Sequence, residues 1–291
     1  MKIDKIISMA SGRVRLRFLA MERSLRAVGC DLPLWVIPFN DDRFTLPPNA
    51  QWWDVPEISG WLANQHAHPV MRKYQCLIEQ NYQFVDSDVC FLRDPVAALA
   101  DQEGFVTSCC HWRCVGDTVT ARSFEMMSGS STVWHQNVFN TGQFACDRKL
   151  YTSSELISTA MHPDFIYTCV RLPYHEQPGL NLLVFSSGVK ISNLTLQPVR
   201  MESTWAGDYP GEYEQFWTNG RLKPYLIHWA GTDMAVSRPI NDLFYSYLTS
   251  QEKAEWDEQA RRQYIAAGRE RRSLRVFARR VRRAWRELLK P

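Results

Sequence analysis

With 291 residues, 45% apolar and 22% charged, the chain can bury one large core or split into a domain and an appendage, and its composition excludes a disordered or fibrous protein. No run approaches the ~18 uninterrupted apolar residues of a membrane span, and the short apolar run after Met1-Lys2-Ile3-Asp4-Lys5 is too poor for a signal peptide. The net charge of +3 hides an asymmetry: from Arg261 to the end there are 12 Lys and Arg against Glu270 and Glu287, a tail of +10 behind a body of −7.

Ile6 to Met9 reads as the first strand, with Ala10-Ser11-Gly12 as the loop after it. Val14, Leu16, Phe18, Leu19, Met21, Leu25 and Val28 trace a helical stripe that stops at Gly29. Leu34-Trp35-Val36-Ile37 is a second strand, closed by Pro38 and opening into Asn40-Asp41-Asp42. Strand, helix and strand make a βαβ unit, for which a right-handed parallel crossover is the rule. A loop through Pro47 and Pro48 precedes a further strand over residues 51–55, and one helical stretch is expected from Ile58 to Asn81. That stretch carries His66, His68, Arg72 and Lys73 into the next strand.

That strand, Tyr82-Gln83-Phe84-Val85, is short, aromatic and β-branched, which marks a buried strand. It runs into Asp86-Ser87-Asp88. In extended backbone, side chains two apart share a face, so both carboxylates point the same way where the strand ends. Strand ends are where open α/β sheets bind ligands, and paired oxygens there suit a hard divalent cation that also carries phosphate oxygens. An Asp-x-Asp arises by chance about once in a chain like this, so the weight lies in its position. The same pattern also fits a phosphoaspartate phosphatase using Asp86 and Asp88, although no downstream acidic pair supports that reading.

Downstream, Arg93-Asp94-Pro95 breaks the chain before a helix from Val96 to Leu99, and Phe105 to Ser108 is a strand. Residues 116–131 are polar and rich in Gly and Ser, and read as a loop beside the site. Asn140-Thr141-Gly142 is a turn between apolar flanks, where glycine permits a tight backbone approach. His175-Glu176-Gln177 opens a helix that contains Asn181, and Pro224 to Gly231 is a strand delivering His228. The eleven Trp and eleven Tyr are expected mostly in the core. The eight cysteines form no disulfide framework, and a reducing cytosol accounts for them; Cys109-Cys110-His111 with Cys114 looks like half of a zinc site without a second half.

Four pieces thus stand in order: Asp86-Ser87-Asp88, Asn140-Thr141-Gly142-Gln143-Phe144, Glu176-Gln177 with Asn181, and His228-x-x-Gly231. Over residues 3 to 240 this arrangement resembles the GT-A fold nucleotide-diphospho-sugar transferases that include the bacterial lipopolysaccharide galactosyl- and glucosyltransferases. The resemblance implies an α/β fold with a mixed central sheet flanked by helices. It implies transfer of a hexose from a UDP- or GDP-sugar to a hydroxyl of a glycan or glycolipid, with Mn²⁺ or Mg²⁺ on the diphosphate. It places Asp86, Asp88 and His228 as metal ligands, Asp86 also near the ribose, and Asn140, Gly142, Asn181 and Gly231 about the donor. It makes Glu176 and Gln177 the pair beside the donor sugar. The Lys-Pro-Trp that often follows the family's His-x-x-Gly is absent here, and Arg72 or Lys73 would supply that positive charge. His228-x-x-Gly231 leans to retention of stereochemistry, while Glu176 as a base would give inversion.

The organisation expected is a transferase domain over 1–248 and a basic helical tail over 249–291. Thr249-x-x-Glu252 is a capping box for a helix that Gly268 ends. Beyond it, Leu274, Phe277, Val281, Trp285 and Leu288 fall on one helical face among arginines. That pattern favours an anionic membrane surface over nucleic acid as partner, and a cytoplasmic protein peripheral on the inner face of the plasma membrane. A non-catalytic membrane- or nucleic-acid-binding protein is the alternative, and it leaves the four motifs unexplained.

Overall fold

The computed structural model describes residues 1–262, apart from 174, 218–221, 235 and 237. The strands are β1 (Lys5–Ala10), β2 (Leu34–Pro38), β3 (Ala50–Trp52), β4 (Tyr82–Asp86), β5 (Val89–Phe91), β6 (Phe105–Thr107), β7 (Gln143–Cys146), β8 (Ile191–Asn193) and β9 (Leu226–His228). Seven form a mixed sheet in the order β3-β2-β1-β4-β7-β6-β8, and β5 pairs with β9 in a separate ribbon. β1 runs parallel to β2 and β4, whereas β7 is antiparallel to both β4 and β6. All six residues of β1 are buried, as expected of a parallel strand covered on both faces.

The helices are α1 (Arg15–Ala27), α2 (Pro56–Asn64), α3 (Pro95–Leu99), α4 (Ala121–Ser128), α5 (Ser153–Ala160), α6 (Gln177–Ser186) and α7 (Asn241–Tyr245). α1 buries Leu16, Phe18, Met21 and Leu25 and gives way at Gly29, whose φ of 85° only glycine takes easily. Side-chain alternation along β4 divides the core. Phe84 faces an aromatic stack with Phe144 and Phe105, centroids 4.9 and 5.2 Å apart, while Val85 joins Ile6, Phe18 and Leu34 on the other face.

Two expectations need correcting. The single helix over 58–81 is α2 followed by a 3-10 helix at Pro69–Ile78. Pro69 offers no N–H and keeps His68 out of helical backbone, so the helix stops and restarts, with the His68 imidazole capping Val70 N–H. The stretch 116–131 is not one loop, because α4 starts there on a reciprocal capping box between Thr120 and Ser123 and buries Met127.

The described backbone divides into two compact units, one of Met1–Met234 with Arg238–Tyr247 and the other containing residues 248–262. In the second, the backbone is helical from 250 to 262. Its start is the expected capping box: Thr249 N–H and hydroxyl donate to Glu252 Oε2 at 2.8 and 2.9 Å, and Glu252 N–H returns to Thr249. The stop at Gly268 and the amphipathic basic face beyond it lie outside the described residues. Among the described residues, no helix is long and apolar enough to cross a membrane.

Candidate active site

The sheet pairing itself assembles the centre. β4 ends on Asp86, whose N–H donates to Gly142 O at 2.8 Å. The chain turns through Ser87 and Asp88 into β5, where Val89 lies opposite His228 at the end of β9. Trp229 N–H donates to Asp88 O at 3.0 Å and locks this register. His228 Nε2 thereby sits 3.4 Å from Asp88 Oδ1 and 3.9 Å from Asp86 Oδ2. Among the described residues, these three are the one group of His, Cys, Asp and Glu whose ligand atoms converge, all within 4.8 Å of one another. Neighbouring ligands on a cation bound at 2.1–2.6 Å lie about 3.0–3.7 Å apart, so the spacing fits a divalent ion after small adjustment. Two carboxylates and an imidazole make a mixed oxygen and nitrogen donor set for a divalent cation.

Gly142 is required by contact. A Cβ there would lie 2.0 Å from His228 Cε1 and 2.8 Å from Asp86 Oδ2. Its N–H is held by Asn140 Oδ1 at 2.8 Å, which shapes the turn that fits against the cluster.

Behind the cluster lies a closed polar clamp. Lys73, 4% exposed, places Nζ 2.9 Å from Asp86 Oδ1 and 2.7 Å from Glu176 Oε1. Thr141 donates its hydroxyl to the same Glu176 oxygen at 2.8 Å. Gln177 Oε1 accepts from Asn140 Nδ2 at 2.9 Å and from Thr141 N–H at 3.2 Å. Asn181 pairs with both the N–H and the C=O of Phe139. The first turns of α6 therefore grip the 139–142 turn along its length.

The electrostatics follow. Burial opposes the charge on Lys73, but Asp86 and Glu176 outweigh it and raise the ammonium above its ordinary value. Burial likewise opposes ionisation of Glu176, and Lys73 with Thr141 overcomes it, so the carboxyl lies below its ordinary value. Asp86 is pushed up by burial despite Lys73. Asp88 is also burdened by burial, yet His228 and Arg17 hold it at about 2.

Asp86, Asp88, His228, Asn140, Gly142, Glu176, Gln177 and Gly231 all border one cavity of about 640 Å³. Three sequence-predicted residues do not. Arg72 turns away, its guanidinium donating to Pro38 O at 2.8 Å. Lys73 is an internal counter-ion rather than a lining cation, and Asn181, 1% exposed, braces the turn. Cys109, Cys110, His111 and Cys114 also border the cavity but form no convergent ligand group; Cys109 Sγ accepts from Asn140 N–H at 3.2 Å, and all eight cysteines are free. Sequence reasoning missed Thr141, whose hydroxyl sits inside a motif already singled out, and the wall made by Thr204, Trp205 and Asp208.

The arrangement is that of the GT-A glycosyltransferase fold. Among the solved structures that share it are the galactosyltransferase LgtC, in complex with donor and acceptor sugar analogs, and the bifunctional glycosyltransferase WbbM. LgtC superposes with a TM-score of 0.53 at 13% identity, covering 86% of this chain and 99% of that one. WbbM gives 0.52 at 12% identity, covering 90% of this chain and 51% of that one, so the present chain spans about half of WbbM. No protein-family profile matches the sequence, and no curated protein matches it.

Proposed function

We propose that the chain is a divalent-metal-dependent glycosyltransferase that moves a hexose from a nucleoside-diphosphate sugar to a hydroxyl of a glycan or glycolipid. The observation that carries this reading is the convergence of Asp86, Asp88 and His228 at the end of β4, on the wall of an open cavity. A cation held there supplies charge neutralisation for the departing nucleoside diphosphate. The chain's own residues do the rest. Gly142 leaves room for the cluster, and Asn140 fixes Gln177 so that the first turn of α6 presents a rigid polar edge to the donor sugar. Glu176, kept ionised by Lys73 and Thr141, is a weak proton acceptor. That argues against Glu176 as the general base of an inverting transfer and so supports retention.

The phosphoaspartate alternative loses ground, because the fold is that of the GT-A glycosyltransferases and His228, rather than a second acidic pair, completes the Asp86-Asp88 cluster. The test is a thermal-shift screen of UDP- and GDP-sugars with and without Mn²⁺. Stabilisation that needs both sugar nucleotide and metal is expected; stabilisation by neither, or by phosphoaspartate mimics such as beryllofluoride, would remove the proposal. The anionic-membrane partner proposed for the tail has its own test. Full-length protein should sediment with phosphatidylserine vesicles at low salt, and a chain ending at Gly268 should stay in solution.

A further inference from the structure

One residue on the cavity wall is a large exposed aromatic. Trp229 is 1% exposed and serves the core, whereas Trp205 is 43% exposed and borders the cavity. Large exposed aromatics usually swing freely, but this one is pinned. Its backbone bridges to that of His228, and His228 N–H donates to Thr204 O at 2.7 Å. Its indole Nε1–H donates to Ala230 O at 2.8 Å. Its ring lies against the backbone of residue 207, where a Cβ would fall 2.3 Å from Cζ2 and 2.5 Å from Cε2 and Cη2. Only glycine leaves the ring in this position.

An indole whose N–H is already used offers a ligand its π surface alone. Such a surface complements a ring with an apolar C–H face and hydroxyls at its edge, which describes a pyranose. Asp208, one 3-10 turn on, with its N–H donating to Trp205 O at 3.1 Å, also borders the cavity and provides carboxylate oxygens for those hydroxyls. The nucleotide of a donor belongs in the crevice at the ends of the parallel strands β1 and β2. The Trp205 segment is tied instead to the other half of the sheet, with Thr204 Oγ1 donating to Ser108 O at 2.6 Å just after β6.

We propose that Trp205 is the stacking platform for the acceptor pyranose, with Asp208 binding its hydroxyls. The word acceptor rests on the glycosyltransferase reading; the pyranose platform stands without it. The experiment is saturation-transfer NMR on the full-length protein with methyl glycosides of galactose, glucose, mannose and N-acetylglucosamine. At least one should bind the wild type, Trp205→Phe should keep most of that binding, and Trp205→Ala and Gly207→Ala should each weaken it at least about tenfold. Using two variants guards against misfolding of either, since Gly207→Ala retains the indole and only displaces it. Where a donor is turned over, the Trp205→Ala loss should fall on the acceptor KM and leave the donor KM in place. Failure of every glycoside to bind the wild type, equal binding by Trp205→Ala, or a rise in donor KM would each overturn the platform. Absence of turnover with any sugar nucleotide, combined with pyranoside binding that Trp205→Ala abolishes, would overturn the transferase reading and keep the platform.

Discussion

Two carboxylate clusters share this cavity wall, and the fold treats them in opposite ways. Around Glu176 the charge is matched inside the protein, by Lys73 at 2.7 Å and the Thr141 hydroxyl at 2.8 Å. Around Asp88 the chain supplies an imidazole, the more distant Arg17 and a second carboxylate, and the side chains of Asp86 and Asp88 remain 25% and 18% exposed. Asp86 belongs to both: Lys73 Nζ lies 2.9 Å from its Oδ1 and 3.1 Å from its Oδ2, and Oδ2 also faces His228. The difference teaches a division of labour: the matched carboxylate is paired within the protein, and the open pair is where the proposed cation would bind.

The comparison breaks most visibly on the open side. Asp88→Asn removes a ligand there and should abolish Mn²⁺-dependent thermal stabilisation. It should lower transfer by about a thousandfold or more, the equivalent of several kcal/mol of lost charge stabilisation. Its metal-free urea midpoint should fall modestly, because His228 and Arg17 favour the ionised Asp88 in the folded chain, and turnover surviving at limiting Mn²⁺ would refute the ligand assignment. On the matched side the expectation reverses. Lys73→Met strands two carboxylates and should cost about 3–5 kcal/mol in urea unfolding without metal. The folded-state pKa of Glu176 is depressed, so its contribution is complete above the ordinary carboxylate pKa and fades as pH falls through the folded value. The gap between wild type and Lys73→Met should therefore narrow below about pH 4, and a gap constant down to acid would show that packing, not charge, is what Lys73 supplies.

A smaller change sharpens the boundary between the clusters. Gly142→Ala forces His228 away without altering any ligand and should weaken Mn²⁺ about 10- to 100-fold in a calorimetric titration; unchanged affinity would mean that the turn yields instead. The smallest effect belongs to Thr141→Val. It deletes one hydrogen bond to a carboxylate that Lys73 still holds, at a cost of about 1.5 kcal/mol in the urea midpoint, with Mn²⁺ affinity unmoved.

How legible this was depended on whether local pattern or tertiary partnership decided the matter. Tyr82–Val85 and Leu34–Ile37 announce themselves as strands because burial on both faces demands apolar and β-branched residues. Asp86, Asp88 and His228 were readable because each follows such a strand, and strand ends are where side chains become available. Lys73 and Arg72 were readable only as positive charges. Adjacent in sequence, they go to different places, one under Asp86 and the other onto Pro38 O, and nothing local separates them. Asn181 looked like a donor contact because it follows Glu176-Gln177, but its amide matches the backbone of Phe139, a partner 42 residues away. The break at His68-Pro69 was visible in principle, and the apolar periodicity running through it hid the stop.

The pairing of Val89 with His228 has a consequence for how the protein is made. The two strands are separated by about 140 residues, so β9 emerges from synthesis long after β4 and β5, and closing so long a loop is entropically late. The Asp86-Asp88-His228 cluster is then one of the last features to exist, absent from the transition state if β9 docks after it. A ligand that binds only the finished site slows unfolding and leaves refolding unhurried. Stopped-flow measurements should show Mn²⁺ lowering the unfolding limb with the refolding limb unmoved, and equal shifts of both would place β9 among the early contacts.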